Sequence, residues 1–190
     1  MADYFADDVI VNKLGITDPN KLREIEQKIV AEKSAVLLDS EIPDEPNLAF
    51  LKLVHKTLFE DLYDFAGQFR IVDLVKANSK APFAYARFLD SEAKRVFDDL
   101  HNKQYLVDLK PEQFIDGVSN LSAELNALHP FREGNGRTIR LFLILLAYGA
   151  GYLLDYSQVS SSELIEADKY AFEGNNIPLR SAYQRITIPR

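Results

Sequence analysis

The sequence predicts an all-α domain: a bundle of helices packed around one central, buried helix and interrupted by a single small β-hairpin. Three observations carry this expectation. Apolar residues recur at three- and four-residue spacing through most of the chain. The stretch from Gly136 to Gly149 is apolar nearly all round, which suits a helix in the middle of a bundle. Only between Gln68 and Phe88 does the helical period fail.

In chain order, Asp18 followed by Pro19 starts the first helix, a capping side chain before a ring already set for the first turn. Leu22, Ile25 and Ile29 share one face, and the helix runs to about Leu38. Two prolines and several acids make Ser40 to Asn47 a loop. Pro46 is then expected to open a second helix with Leu48, Leu51, Val54, Leu58 and Leu62 inward, ending before Gly67. From Phe69 to Val75 branched and aromatic residues dominate, Asn78 to Lys80 reads as a turn, and Pro82 to Tyr85 follows, so a hairpin is expected. Helices resume over about Leu89 to Lys103. After Pro111, the residues Phe114, Val118, Leu121, Leu125 and Leu128 step along one stripe. The central helix comes next, followed by helices over about Ser160 to Phe172 and Leu179 to Arg185. The sequence shows no repeat, low-complexity segment or linker.

Composition excludes several functions. With no cysteine there is no disulfide, thiolate nucleophile or zinc–thiolate site, which suits a reducing compartment such as the cytoplasm. Met1 to Asp8 carries acids and no basic flank, so it does not read as a signal peptide. The strongest apolar run, Leu141 to Tyr148, is far short of the roughly 20 residues of a membrane span. A formal charge of -7 opposes broad nucleic-acid binding, and any phosphate site must be local.

Such a site is suggested by His129-Pro130-Phe131-Arg132-Glu133-Gly134-Asn135-Gly136-Arg137-Thr138-Ile139-Arg140. Gly134 and Gly136 permit positive φ and close approach, so successive N–H groups can point into one concavity at a helix start. Arg137 and Arg140 lie three apart on one helix face, where both guanidinium groups can grip a polyphosphate. Glu133 is a hard oxygen ligand of the type that holds Mg²⁺ together with substrate phosphates. His129 has the side chain to accept a proton from an attacking hydroxyl at neutral pH. Phe131, alone among charged and small neighbours, is expected to plug into the core.

Each of these residues also has a bland reading. A lone His at a helix C-terminus is usually structural, a single Gly-Asn-Gly is any turn, and an Arg pair can be a solvated face. Their arrival within one dozen residues outweighs those readings. His55 and His101 have no metal-ligand spacing with another His and are read as structural. Tyr63, Tyr148 and Tyr170 are read as core aromatics with a hydroxyl reaching water.

At every defined position the segment resembles the Fic-domain signature, His-Pro-Phe-x-Glu-Gly-Asn-Gly-Arg-x-x-Arg. Leu62-Tyr63-Asp64-Phe65-Ala66-Gly67-Gln68-Phe69-Arg70 is similar to the lead-in to that family's flap, and Val11-Asn12-Lys13-Leu14-Gly15-Ile16 adds a further likeness. The resemblance implies a Fic fold as one domain over residues 1–190, with a core of about 47–190 and a helical extension over 1–46. It also implies transfer of AMP from Mg²⁺-ATP to a protein hydroxyl. His129 would be the base, Glu133 the Mg²⁺ ligand, and Gly134, Asn135, Gly136, Arg137 and Arg140 would bind the phosphates. The hairpin, about Arg70 to Tyr85, would dock the target by strand addition. Many relatives are restrained by a helix carrying Ser or Thr, three residues, then Glu and Gly or Asn. Lys169 to Gly174 has the Glu-Gly but Lys169 in the Ser/Thr place, and is read as an ordinary helix. Restraint would then come from a separate small antitoxin. The rival readings are transfer of UMP, phosphate or phosphocholine, which the intact Gly-Asn-Gly-Arg disfavours, and a silent nucleotide-binding module, which an intact His129 disfavours.

Overall fold

The computed structural model describes residues 5–6, 9–75 and 82–190. The helices are α1 (Pro19–Leu38), α2 (Leu48–Phe59), α3 (Leu89–Asn102), α4 (Pro111–Leu128), α5 (Asn135–Gly149), α6 (Ser161–Phe172) and α7 (Ile177–Ile186). Asp18 caps α1 as expected, accepting a hydrogen bond from the Lys21 N–H. The central helix is α5, which packs against both α2 and α4 and buries Ile139, Phe142, Leu143, Leu145 and Leu146. Burying each large side chain contributes about 1.5–3 kcal/mol, so this apolar stretch stabilises the whole bundle. α3, α6 and α7 also pack on α4, while α1 packs on α2.

Several expectations need correction. Pro46 does not open the second helix. Asn47 caps it instead, its Oδ1 accepting from the N–H groups of Ala49 and Phe50. That helix ends at Phe59. Leu62 and Tyr63 follow it in a tight turn, with both N–H groups bonded to the Phe59 carbonyl, and the turn keeps them buried without a helix. The apolar spacing continues through the turn, so the pattern does not reveal the end.

Two strand pairs arise that the sequence did not suggest. Phe5–Ala6 (β1) pairs antiparallel with Val9–Ile10 (β2), and Tyr152–Leu154 (β3) with Thr187–Pro189 (β4). Each is only two or three residues long, below the length at which alternation can be recognised. Tyr148 and Tyr170 are exposed, whereas Tyr63 is buried.

The expected hairpin is present at its base. Val75 bridges Pro82, and the Phe83 N–H donates to the Leu74 carbonyl. The turn expected over Asn78 to Lys80 lies outside the described residues, as does most of Met1 to Asp8. Phe69 to Leu74 is not a strand, because Arg70 is drawn inward to the end of α4. The Val11–Ile16 stretch is closed by Asn12, whose side chain bonds the main chain of Ile10 and Ile16, while the Lys13 N–H donates to the Leu62 carbonyl.

Candidate active site

The loop between α4 and α5 is held from beneath by aromatic packing. Phe131 is fully buried, and its ring stacks on His55 of α2 at 3.8 Å between centroids. Asn135 ties the loop to itself: Oδ1 accepts from the Phe131 N–H at 2.8 Å, and Nδ2 donates to the Phe131 carbonyl at 2.7 Å. The Asn135 side chain is therefore spent on loop geometry, and what it offers an anion is its backbone N–H.

Gly134 has φ +78°, and a Cβ there would come within 2.4 Å of the buried Phe59 ring, so only glycine fits. Gly136 differs from expectation. It is helical, with no positive φ, and a Cβ would meet only Arg140 Nη2 at 3.5 Å, an ordinary contact. Its lack of a side chain is therefore required neither by the backbone nor by packing, and it leaves the start of α5 open. We expect Gly134→Ala to destabilise the fold by about 2–5 kcal/mol through overpacking and a strained backbone. Gly136→Ala should leave the melting temperature nearly unchanged and weaken nucleotide binding. Thermal melts and calorimetric titration of the two variants check both.

His55 is a strut under the same loop. The Gly67 N–H donates to its Nδ1 at 2.8 Å, so the ring proton sits on Nε2, which donates to the Glu133 carbonyl at 3.0 Å. The expectation of a structural His55 is met. Burial, aided by the Arg137 charge, brings its pKa down from 6.5 to about 4, although the Glu133 carbonyl opposes the shift. The folded protein therefore favours neutral His55, and its contribution to stability is full above pH 6.5 and lost as pH falls towards 4. Unfolding in urea should cost about 2 kcal/mol less at pH 5 than at pH 7. His55→Gln, less stable throughout, should show a correspondingly smaller fall.

His129 ends α4 in the left-handed region, with φ 45° and ψ 59°. Its N–H donates to the Leu125 carbonyl, closing the helix. Its half-buried ring stacks on Phe83 of the flap at 4.0 Å. Arg70 fixes this junction. Its guanidinium is buried and donates to four carbonyls: His129 at 2.8 Å, Leu128 at 3.3 Å, Val72 at 2.8 Å and Ala84. The Arg70 N–H also donates to the Pro130 carbonyl. One buried cation thus joins the base of the flap to the main chain of His129.

Glu133 is half exposed, and its Oε1 accepts from the Gly134 N–H. The N–H groups of Asn135, Gly136 and Arg137 precede the first α5 ladder bond, from the Thr138 N–H to the Gly134 carbonyl, and so face away from the helix. Together with the helix dipole they form an anion-binding end. Arg140 Nε donates to the Gly136 carbonyl at 3.2 Å, and among the described residues Arg140 makes no ion pair. Arg137 lies over the Phe59 ring, 3.5 Å from Glu133 Oε1, and pairs with Glu26 of α1. Arg137, Arg140, Glu133 and Glu26 line one open cavity of about 550 Å³. In the near-match at the end of α6, Glu173 is an exposed cap residue, and among the described residues no ion pair joins it to Arg140.

The fold thus gathers all seven candidate residues at the α4–α5 junction. Sequence reading missed Glu26, the anchoring role of Arg70 and the Tyr63 contact described below. Arg70 and Tyr63 left a signal, since both lie in the segment that resembles a flap lead-in.

A helical bundle presenting a histidine beside a glycine-framed helix N-terminus with two arginines defines a nucleotide-handling enzyme class. The sequence pattern of the Fic/DOC family matches residues 45–147, and the chain belongs to that family. It is 39% identical over 168 residues to "Protein adenylyltransferase VbhT" of Bartonella schoenbuchensis, covering 88% of this chain but only 35% of that protein. It is 36% identical to "Probable protein adenylyltransferase y4lH" of Sinorhizobium fredii, covering 94% and 91% of the two chains. The crystal structure of BepC from Bartonella tribocorum with bound AMPPNP superposes with a TM-score of 0.92 at 28% identity, covering 96% of this chain and 93% of that one.

Proposed function

We propose that the chain is a protein adenylyltransferase, moving AMP from ATP to a hydroxyl side chain of a target protein. The single observation that carries this is the placement of His129, held by Arg70 and Phe83 between the flap and the anion-binding start of α5. The relatives' names and the AMPPNP-bound BepC structure support the same reading.

The polyphosphate lies against the N–H groups of Asn135, Gly136 and Arg137, with Arg137 and Arg140 meeting its charge. The target hydroxyl oxygen bonds to the α-phosphorus while its proton passes to the His129 ring. The bond from the α-phosphorus to the bridging oxygen breaks, and pyrophosphate leaves. Glu133 is a single accessible carboxylate, and among the described residues no cluster of three His, Cys, Asp or Glu forms a closed metal site. That donor set fits Mg²⁺, which takes one or two carboxylates and completes its shell with phosphate oxygens and waters. When bound, the ion neutralises charge on the departing pyrophosphate.

The target docks along the flap, where Ile71, Val75 and Tyr85 are exposed beside the paired base. Arg140, without an ion pair among the described residues, is available to the terminal phosphate or to an acid supplied by a separate antitoxin. The ATP-rich, reducing cytoplasm is the compartment this reading implies. Among the described residues no helix is long and apolar enough to cross a membrane. The test is to incubate the chain with ATP, Mg²⁺ and a bacterial lysate and to map peptides by mass spectrometry. AMP on a Ser, Thr or Tyr hydroxyl is expected. Consumption of ATP with phosphate in place of AMP on the target would overturn the reading.

A further inference from the structure

Glu26 is the only acidic residue among the buried side chains of the described residues, and it comes from α1, outside the stretch that matches the family. A buried carboxylate is costly unless it is paired and hydrogen-bonded. Here both oxygens are used. Oε1 accepts from Arg137 Nη1, and Oε2 accepts from the Tyr63 hydroxyl. Tyr63 is itself packed in place: it is 1% exposed, and its ring stacks on Phe65 at 4.9 Å. Burial, and then the adjoining Glu26 carboxylate, raise its pKa well above 10, so it remains a donor at any working pH.

The consequence falls on Arg137. Its guanidinium has Glu26 at one end, the Phe59 face beneath it at 4.9 Å, and Glu133 at 3.5 Å from the other end. An arginine on a helix surface ordinarily samples many rotamers, and ordering it on ligand binding costs affinity. A guanidinium already held keeps its fork geometry for phosphate oxygens.

We infer that Glu26, braced by Tyr63, is a positioning residue that pre-orders Arg137 for the polyphosphate of the nucleotide. This rests on the phosphate-binding role given to Arg137 in the proposed function. It ties α1 to catalysis, since α1 then sets the geometry of a site built by α4 and α5.

The test is a double-mutant cycle on the full chain, read as Mg²⁺-ATP affinity by calorimetry and as KM for ATP and kcat for transfer. Glu26→Gln preserves shape but removes the charge. It should weaken ATP binding and raise KM roughly tenfold, with kcat less affected. In an Arg137→Ala background the same change should have almost no further effect, because the residue it positions is gone. Tyr63→Phe should act in the same direction with a smaller loss, and thermal melts verify that each variant is folded. Equal losses from Glu26→Gln in both backgrounds would overturn the inference, since a merely structural role produces them. Tighter ATP binding or faster transfer by Glu26→Gln would also overturn it, showing that Glu26 withholds Arg137. The binding arm is independent of transfer: a chain that binds ATP with this coupling but forms no AMP adduct would sink the proposed function and leave the inference standing.

Discussion

His129→Asn is expected to lower the rate of AMP transfer by about 10²- to 10⁴-fold while leaving ATP affinity within a few-fold of the wild type. Asparagine is the informative replacement because His129 occupies the left-handed region at φ 45°, which Asn tolerates better than most residues. The turn that closes α4 is then retained. The His129 N–H donates to the Leu125 carbonyl and the His129 carbonyl accepts from Arg70 Nε, and both contacts use the His129 main chain and survive the change. What is lost is the ring, which carries the proton-accepting nitrogen. The anion-binding groups lie beyond it, in Gly134 to Arg140, so substrate should still bind. A variant that lost ATP affinity in parallel with rate would place His129 in binding and not in proton transfer. Single-turnover kinetics alongside calorimetry distinguish the two outcomes.

The second large effect is expected at Arg70. Arg70→Ala removes a buried cation that satisfies the carbonyls of His129, Leu128, Val72 and Ala84. Buried acceptors left without donors each cost on the order of 1–3 kcal/mol, and the cavity adds to that. A total loss of about 3–5 kcal/mol is expected in chemical denaturation, a large part of the stability of a domain this size. The functional loss should be larger than the stability loss implies. Arg70 joins both arms of the flap, through Val72 and Ala84, to the main chain of His129, so its removal lets the target edge and the base drift apart. Misplacement of reacting groups by about 1 Å can cost 10²-fold in rate. Arg70→Lys should recover only part of either property, because an ammonium is a compact donor without the planar fork that reaches several carbonyls at once. Full recovery by lysine would contradict the bridging role.

The helices were legible because their apolar spacing is local. The α4 stripe and the all-apolar α5 are set by residues three and four apart, and both were placed within a residue or two. The end of α2 was not, because Leu62 and Tyr63 stay buried in a turn that preserves the apolar spacing. The motif from His129 to Arg140 was legible for a different reason: its residues are contiguous, and a glycine-framed helix start with an arginine pair has a chemical meaning of its own.

What surrounds the motif was hidden because it is assembled from afar. Glu26 meets Arg137 across 111 residues, His55 meets Glu133 across 78, and Arg70 meets His129 across 59. On its own helix Glu26 reads as a solvated acid, although it lies on one stripe with Leu22 and Val30, and the packing of α1 on α2 turns that stripe inward. Gly136 shows the converse: the sequence suggested a backbone reason for the glycine, and the helical conformation leaves only a reason of access.

The most direct measurement supplies the chain with ATP labelled at the α-phosphorus and, in parallel, with ATP labelled at the γ-phosphorus, in the presence of Mg²⁺ and a bacterial lysate. Transfer of AMP predicts a protein band labelled from the α position, none from the γ position, and pyrophosphate released in step with the band. A band labelled from the γ position alone, with ADP as the product, would contradict AMP transfer by this site.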